Sequence, residues 1–338
     1  MAELDAGRAA LERGAWEEAR RHFEAALAEA DAPEAWEGLG WAGWWLADED
    51  LTFDARLRAY RGYRARGDDR AAGRVATWLA ADYREYRGEA AVARGWLERA
   101  HRLLDPLPER AEHGWLAVNE ADVLRNDGGD LAEIIRLCER AVEIGRAHGV
   151  PDLEAVGLAQ HGIAEVMRGD LEQGMRRLDE AAVTVAAEDL HLPLSFGWVH
   201  CCLLSACEGV GDFDRAAQWC QQIRPFVDRW GGRQLLGICR STYGRVLVTR
   251  GDWPSGEAEL AGAVADLEAA RPGMSGESLA RLGELRLRQG RIAEARALFE
   301  RAGPAGVLGL GRIALAEGDA DAAVEAAERV LRHLAGDK

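Results

Sequence analysis

The stretch GRIAEARALFE, residues 290–300, opens on a glycine, places Ala295 five positions on and Phe299 four positions after that. Glycine can end a helix in the left-handed conformation, so Gly290 reads as a turn between two helices. Small Ala295 lets the second helix lie close against its neighbour, and Phe299 fills the space beyond that contact. The same opening recurs as GAWEEA at Gly14, GEAAVA at Gly88, GDLAEI at Gly129, GDLEQG at Gly169, GDFDRA at Gly211, GDWPSG at Gly251 and GDADAA at Gly318. A version without the glycine, DEDLTFDA, begins at Asp48. From Gly88 onward the spacings are 41, 40, 42, 40, 39 and 28 residues. A period near 40 is the mark of a repeat array.

Where Asp follows the glycine it is placed to cap the next helix. A helical stretch precedes each turn, as in LARLGELRLRQG and VLGLGRIALAEG. Each unit is therefore a helix–turn–helix hairpin that buries its apolar face only by stacking on its neighbours. The punctuation near Gly67, Pro151, Pro193, Gly231 and Pro272 falls between hairpins. The spacing runs through it undisturbed, so residues 1–338 read as one domain: an all-α, right-handed α-solenoid of about nine hairpins.

The rest of the composition narrows the function. Lys and Arg total 42 against 58 Asp and Glu, a net charge of −16. That field repels nucleic acid and anionic membrane, so neither is expected as a direct partner. The N-terminus lacks a signal-peptide pattern, and no apolar run approaches the ~20 residues that span a bilayer. A cytoplasmic protein is expected. Six cysteines in 338 residues make no disulfide scaffold.

Trp36, Leu39 and Gly40, with Ala19 and Phe23 or Ala295 and Phe299 in the second helices, resemble the tetratricopeptide pattern. Gly43 stands where that family usually has Tyr, and His161 and Tyr243 replace its usual leucine. The wording of YREYRGEAAVARGWLERAHRLL, GDFDRAAQWC and RPGMSGESLARLGELRLRQGR is similar to the tetratricopeptide sensor segment of bacterial LuxR-type transcriptional regulators. In that group a helix-turn-helix domain follows the segment. Here the chain ends at RHLAGDK without its start motif, so the resemblance implies a sensor or scaffold module and carries no DNA binding.

The resemblance also implies that the first helix of each hairpin lines a concave surface. At about 100° per residue, Trp36, Leu39, Gly40 and Gly43 share one arc of their helix, expected inside the hairpin. Glu34, Glu37, Trp41, Trp44 and Trp45 share the opposite arc, expected to face the groove. The same phase in later units selects Trp78, Asp82, Glu85 and Tyr86, then Asn119 and Asn126, then Ser205, Arg245 and Arg312. Aromatic and acidic residues at the N-terminal end would favour cationic or aromatic ligand groups, and the later arginines anionic ones. Each tryptophan has an alternative role in packing between repeats.

His200, Leu203, Leu204 and Cys207 share a helix face that the hairpin turn could bring toward Cys220. No fourth ligand and no CxxC or HExxH motif accompanies them, so no metal and no cofactor is expected. No nucleophile elbow, phosphate loop or Ser/His/Asp arrangement occurs, and the chain is not expected to be an enzyme. The reading is a regulatory binding or sensor module whose groove takes a peptide, a partner helix or a small molecule. The alternative is an interaction or oligomerisation scaffold, a homodimer included, in which exposed indoles bury against another chain.

Overall fold

The structure is a computed structural model that describes residues 2–187, 192–230 and 233–334. The Gly231 turn named above lies outside the described residues. Eighteen α-helices follow one another, and no strand is present among the described residues. The first hairpins are α1 (Ala2–Glu12) with α2 (Trp16–Glu29), α3 (Pro33–Leu46) with α4 (Glu49–Arg66), and α5 (Asp69–Arg87) with α6 (Ala90–Leu104). The middle ones are α7 (Ala111–Asn126) with α8 (Leu131–His148), α9 (Pro151–Arg168) with α10 (Leu171–Ala187), and α11 (Pro193–Val210) with α12 (Phe213–Trp230). The last are α13 (Arg233–Thr249) with α14 (Trp253–Ala270), α15 (Gly276–Arg288) with α16 (Ile292–Arg301), and α17 (Val307–Ala316) with α18 (Ala320–Leu334). Among the described residues nine hairpins stack in sequence, in keeping with the repeat spacing.

The turn chemistry explains the regularity. Gly211, Gly251 and Gly290 have φ of 75°, 91° and 76°, the left-handed values that the repeated turn needs. In the α7–α8 turn that role belongs to Gly128, φ 71°, one residue before the Gly129 of the repeat pattern. Between α3 and α4 there is no glycine, and Ala47 takes the left-handed conformation at φ 58°. The aspartates behind several turns cap as expected: Asp48, Asp130 and Asp252 accept from the backbone N–H groups of Leu51, Ala132 and Ser255.

Packing follows the small-then-large pattern. Ala19, Ala93, Ala216 and Ala295 have no exposed surface, and Phe23, Leu97 and Phe299 are buried beside them. Cys220, the equivalent of those larger residues in its unit, is only half-buried. The interior glycines act in the same way: a Cβ on Gly283 or Gly309 would meet the Phe299 ring at 2.8 and 2.4 Å. These close approaches let the Phe299 ring enter its unit.

Superhelical winding brings distant repeats together. The Trp16 indole N–H donates to the Trp230 carbonyl at 2.9 Å. Pro272–Met274 form a 3₁₀ turn beside the C-terminal end of α5, where a Cβ on Gly273 would fall 2.5 Å from the Arg84 carbonyl oxygen. Part of the second half therefore seats against the first, and the concave face becomes the wall of a cavity.

Candidate functional site

The tryptophan cluster is divided differently from the helical-wheel expectation. Trp36 is half-buried, donates to the Asp31 carboxylate at 2.5 Å and lies under the Arg58 guanidinium. Trp44, Trp45 and Trp78 are buried. Trp45 stacks face to face on Trp16, ring centres 4.5 Å apart with planes 2° from parallel. Trp41 meets Trp78 edge-on at 4.9 Å and is covered by Arg56, 4.4 Å from its ring centre. Neighbouring repeats take up most of the indole surface, because α2, α4 and α5 all close on α3.

Other residues assigned to the early groove also have partners. Glu37 accepts from Arg74 at 2.7 Å and from the Tyr63 hydroxyl at 2.8 Å. Asp82 pairs with Arg56 at 2.8 Å, both buried. Burial pushes the Asp82 carboxyl up to about 7, against the opposing pull of Arg56. Tyr86 lies under Arg271, 4.0 Å from the guanidinium carbon. Asn119 donates to the Trp115 carbonyl at 2.8 Å. Glu37, Asp82, Tyr86 and Asn119 do not line the cavity, nor do Trp41 and Trp45.

The cavity itself has a volume of about 250 Å³ and lies between the first helices of the hairpins. Trp44 of α3, Arg84 and Glu85 of α5, and Asp122, Arg125 and Asn126 of α7 form one wall. Trp198, Cys201 and Ser205 of α11 form the floor, and Ser241 and Thr242 of α13 continue it. Arg271, Met274 and Ser278 with Arg281 of α15 close the far side. Four of the expected groove residues, Trp44, Glu85, Asn126 and Ser205, are thus brought to one site. A second cavity continues from it through Glu277 and Arg281 and includes Arg245 and Arg312.

Its charges are organised around shared carboxylates. Arg84 and Arg125 both bind Asp122, Arg125 at 2.5 Å. Burial alone would raise that carboxyl, but the two guanidiniums hold it below the ordinary carboxylate range. Glu208 forms an ion pair with Arg245 at 2.6 Å and accepts from Arg281 at 2.5 Å. Glu284 is shared by Arg288, at 3.0 Å, and Arg312. Three times along the groove, one carboxylate holds two arginines. Arg271 has no exposed surface and reaches the Trp44 carbonyl at 2.7 Å and Glu85 at 3.5 Å.

The metal arrangement considered from the sequence does not form. His200 is buried, donates its Nδ1–H to the Phe196 carbonyl at 2.8 Å and stacks on the Phe196 ring at 4.1 Å. Burial pulls its imidazole down to about 4. Among the described residues no three His, Cys, Asp or Glu side chains converge to hold a metal ion, so Cys207 and Cys220 do not complete a site with it. The two cysteines at the cavity floor are not activated: burial raises the Cys201 thiol and pushes Cys202 up to about 12.

Arg84, Arg125, Trp198 and Arg281 were missed by the phase assignment, although the signal was present. Stepping back seven residues, two helical turns, from Ser205 reaches Trp198. On α5 and α7 the true face is rotated by one residue. Arg271 sits in an inter-hairpin connection, where helical phase says nothing.

No family model matches the chain, and no curated protein matches it in sequence. Its fold is similar to several solved helical-repeat structures. A Rap protein complexed with competence and sporulation factor superposes with a TM-score of 0.66, covering 100% of this chain and 99% of that one at 9% identity. The signal-transduction ATPase of the STAND type with a tetratricopeptide repeat sensor, from Pyrococcus horikoshii, gives 0.51 at 13% identity over 89% of this chain. This chain spans 46% of that protein. The human IFIT1 dimer with m7Gppp-AAAA gives 0.54 at 18% identity, covering 95% of this chain and 68% of that one. At these identities the likeness is one of fold, a tetratricopeptide-like α-solenoid. No described helix is long and apolar enough to cross a membrane.

Proposed function

We propose that the chain is a non-catalytic, regulatory binding module that takes a peptide or small molecule in the cavity on its concave face. One observation carries this reading: the cavity wall is assembled from α3, α5, α7, α11, α13 and α15 together with the 271–274 connection. An occupant would touch both halves of the solenoid at once. It would bias how far the two halves close, and a partner or effector domain could read that change. The wording shared with LuxR-type sensor segments supports a regulatory and cytoplasmic setting, and the Rap protein solved with competence and sporulation factor supports an occupant on this fold.

The test is a thermal-shift screen of short peptides and metabolites, repeated on Ser205→Trp. Ser205 is an exposed residue on the cavity wall, so the new indole fills the space without disturbing a core. A compound that raises Tm for the wild type and binds at least tenfold more weakly to the variant supports the proposal. Equal binding to both removes the cavity from it.

A second reading rests on the last described hairpin, which exposes Leu308, Leu315, Val324 and Leu331. Repeat arrays need a polar end or a cover, so another chain could seat there. Sedimentation across a concentration series, with Leu315→Glu and Leu331→Glu as variants, separates the two readings.

A further inference from the structure

The aromatic and acidic end of the groove, which would favour cations, is consumed internally: Arg56 covers Trp41 and pairs with Asp82, and Arg74 holds Glu37. The arginine end is not balanced in the same way. Among the described residues the two connected cavities are lined by seven arginines and four carboxylates. Glu208, behind the wall, brings the acidic count only to five. This cationic strip lies in a chain whose overall charge is −16.

The hydrogen-bonding state of the strip points the same way. The Nε–H groups of Arg84 and Arg125 are buried and have no hydrogen-bond partner. A buried donor left unsatisfied is destabilising, the more so when it belongs to a charged group. Sharing one carboxylate between two guanidiniums leaves a positive charge over at Asp122 and again at Glu284. Between these centres the wall offers neutral groups, Asn126 and the exposed Ser205 among them, that can bond to peptide N–H and C=O, while the Ser241 and Thr242 hydroxyls already accept from Arg281.

We propose that the occupant of this cavity is a short, extended, acidic peptide whose carboxylates meet the surplus charge at Arg84–Arg125 and at Arg312, passing between them Arg281, which Glu208 and Glu277 already hold. This rests on the cavity being the binding site, as proposed above. Neighbouring first helices of a helical array lie about 10 Å apart. An extended chain advances about 3.3 Å per residue, so a span of about three residues reaches from Arg281 on α15 to Arg312 on α17, while Arg84 and Arg125 face them from the opposite wall. A long polyanion such as RNA would present its remaining phosphates to the acidic exterior, which disfavours it. A bidentate Arg–carboxylate pair also gives the peptide a geometry to select.

The experiment pans a random displayed dodecapeptide library against the full chain, then measures the recovered peptides on wild type, Arg312→Gln and the triple change Arg84→Gln, Arg281→Gln, Arg312→Gln. Arg312 is well exposed, so its single variant folds irrespective of the triple one. The proposal expects a pool enriched in Asp and Glu, several-fold weaker binding to Arg312→Gln, at least tenfold weaker binding to a folded triple variant, and affinity that falls steeply with salt. A neutral or basic pool overturns it, as does an acidic pool indifferent to Arg312. Tighter arginine-dependent binding of a nine-nucleotide single-stranded RNA also overturns it and reassigns the strip. Competition with Ser205→Trp separates the two levels of the argument: neutral peptides blocked by that variant leave the cavity as the site and remove only the acidic specificity.

Discussion

Arg271 donates to the backbone carbonyl of Trp44, 227 positions away in sequence, at 2.7 Å, while its guanidinium lies 4.4 Å from the Trp44 ring centre. Tyr86 takes the other aromatic contact at 4.0 Å. One side chain thus ties the connection after α14 to α3 and α5. Because Arg271 is wholly buried, replacing it leaves a carbonyl, two rings and Glu85 without their partner. Arg271→Met should cost on the order of 2–4 kcal/mol in chemical denaturation and enlarge the radius of gyration in solution scattering. Arg271→Lys should not rescue it, since an ammonium cannot reproduce the planar stacking and the forked donors.

Gly273 gives a separate handle on the same contact. A Cβ there would lie 2.5 and 2.6 Å from the carbonyl oxygens of Arg84 and Glu85, both backbone atoms that cannot swing aside. Gly273→Ala should therefore cost about 1–3 kcal/mol by overpacking. Gly95→Ala, on a helix with nothing within 4 Å, should instead stabilise by about 0.5–1 kcal/mol. Urea unfolding of the two variants side by side checks both signs.

Ala47 holds a left-handed backbone, φ 58°, in the turn where other hairpins use glycine. A Cβ in this conformation costs roughly 1 kcal/mol. Ala47→Gly is expected to raise stability by about 0.5–1 kcal/mol in the same assay, with no change in helical content by circular dichroism.

His101 supplies a pH dependence. A hydrogen bond to Glu120 raises its imidazole to about 9, with Asp105 adding to the effect and burial opposing it. The folded value lies above the ordinary 6.5, so the stabilisation is fully present below about 6.5 and fades as pH rises through about 9. His101→Gln should lose on the order of 1 kcal/mol at pH 6, after allowance for solvent screening, and almost nothing at pH 10.

The repeat made the architecture legible. Gly290, Ala295 and Phe299 state the turn, the close approach and the filling residue within ten positions, and most hairpins reuse that local chemistry. The site was only partly legible. Helical phase found Trp44, Glu85, Asn126 and Ser205, but it could not show that Arg56 would cover Trp41 or that Trp16 would stack on Trp45. Those contacts depend on how neighbouring repeats rotate against α3, which no single helix encodes. Arg271 was beyond reach for a stronger reason: its partner is set by the winding of the whole array.

The central claim is that one occupant of the cavity engages both halves of the closed solenoid. Amide hydrogen exchange of the full chain, with and without the tightest peptide recovered from the random library, tests it most directly. Exchange should slow at the C-terminal turn of α5, residues 84–88, together with residues 271–281. Slowing confined to one of these segments, or found only outside them, would contradict it.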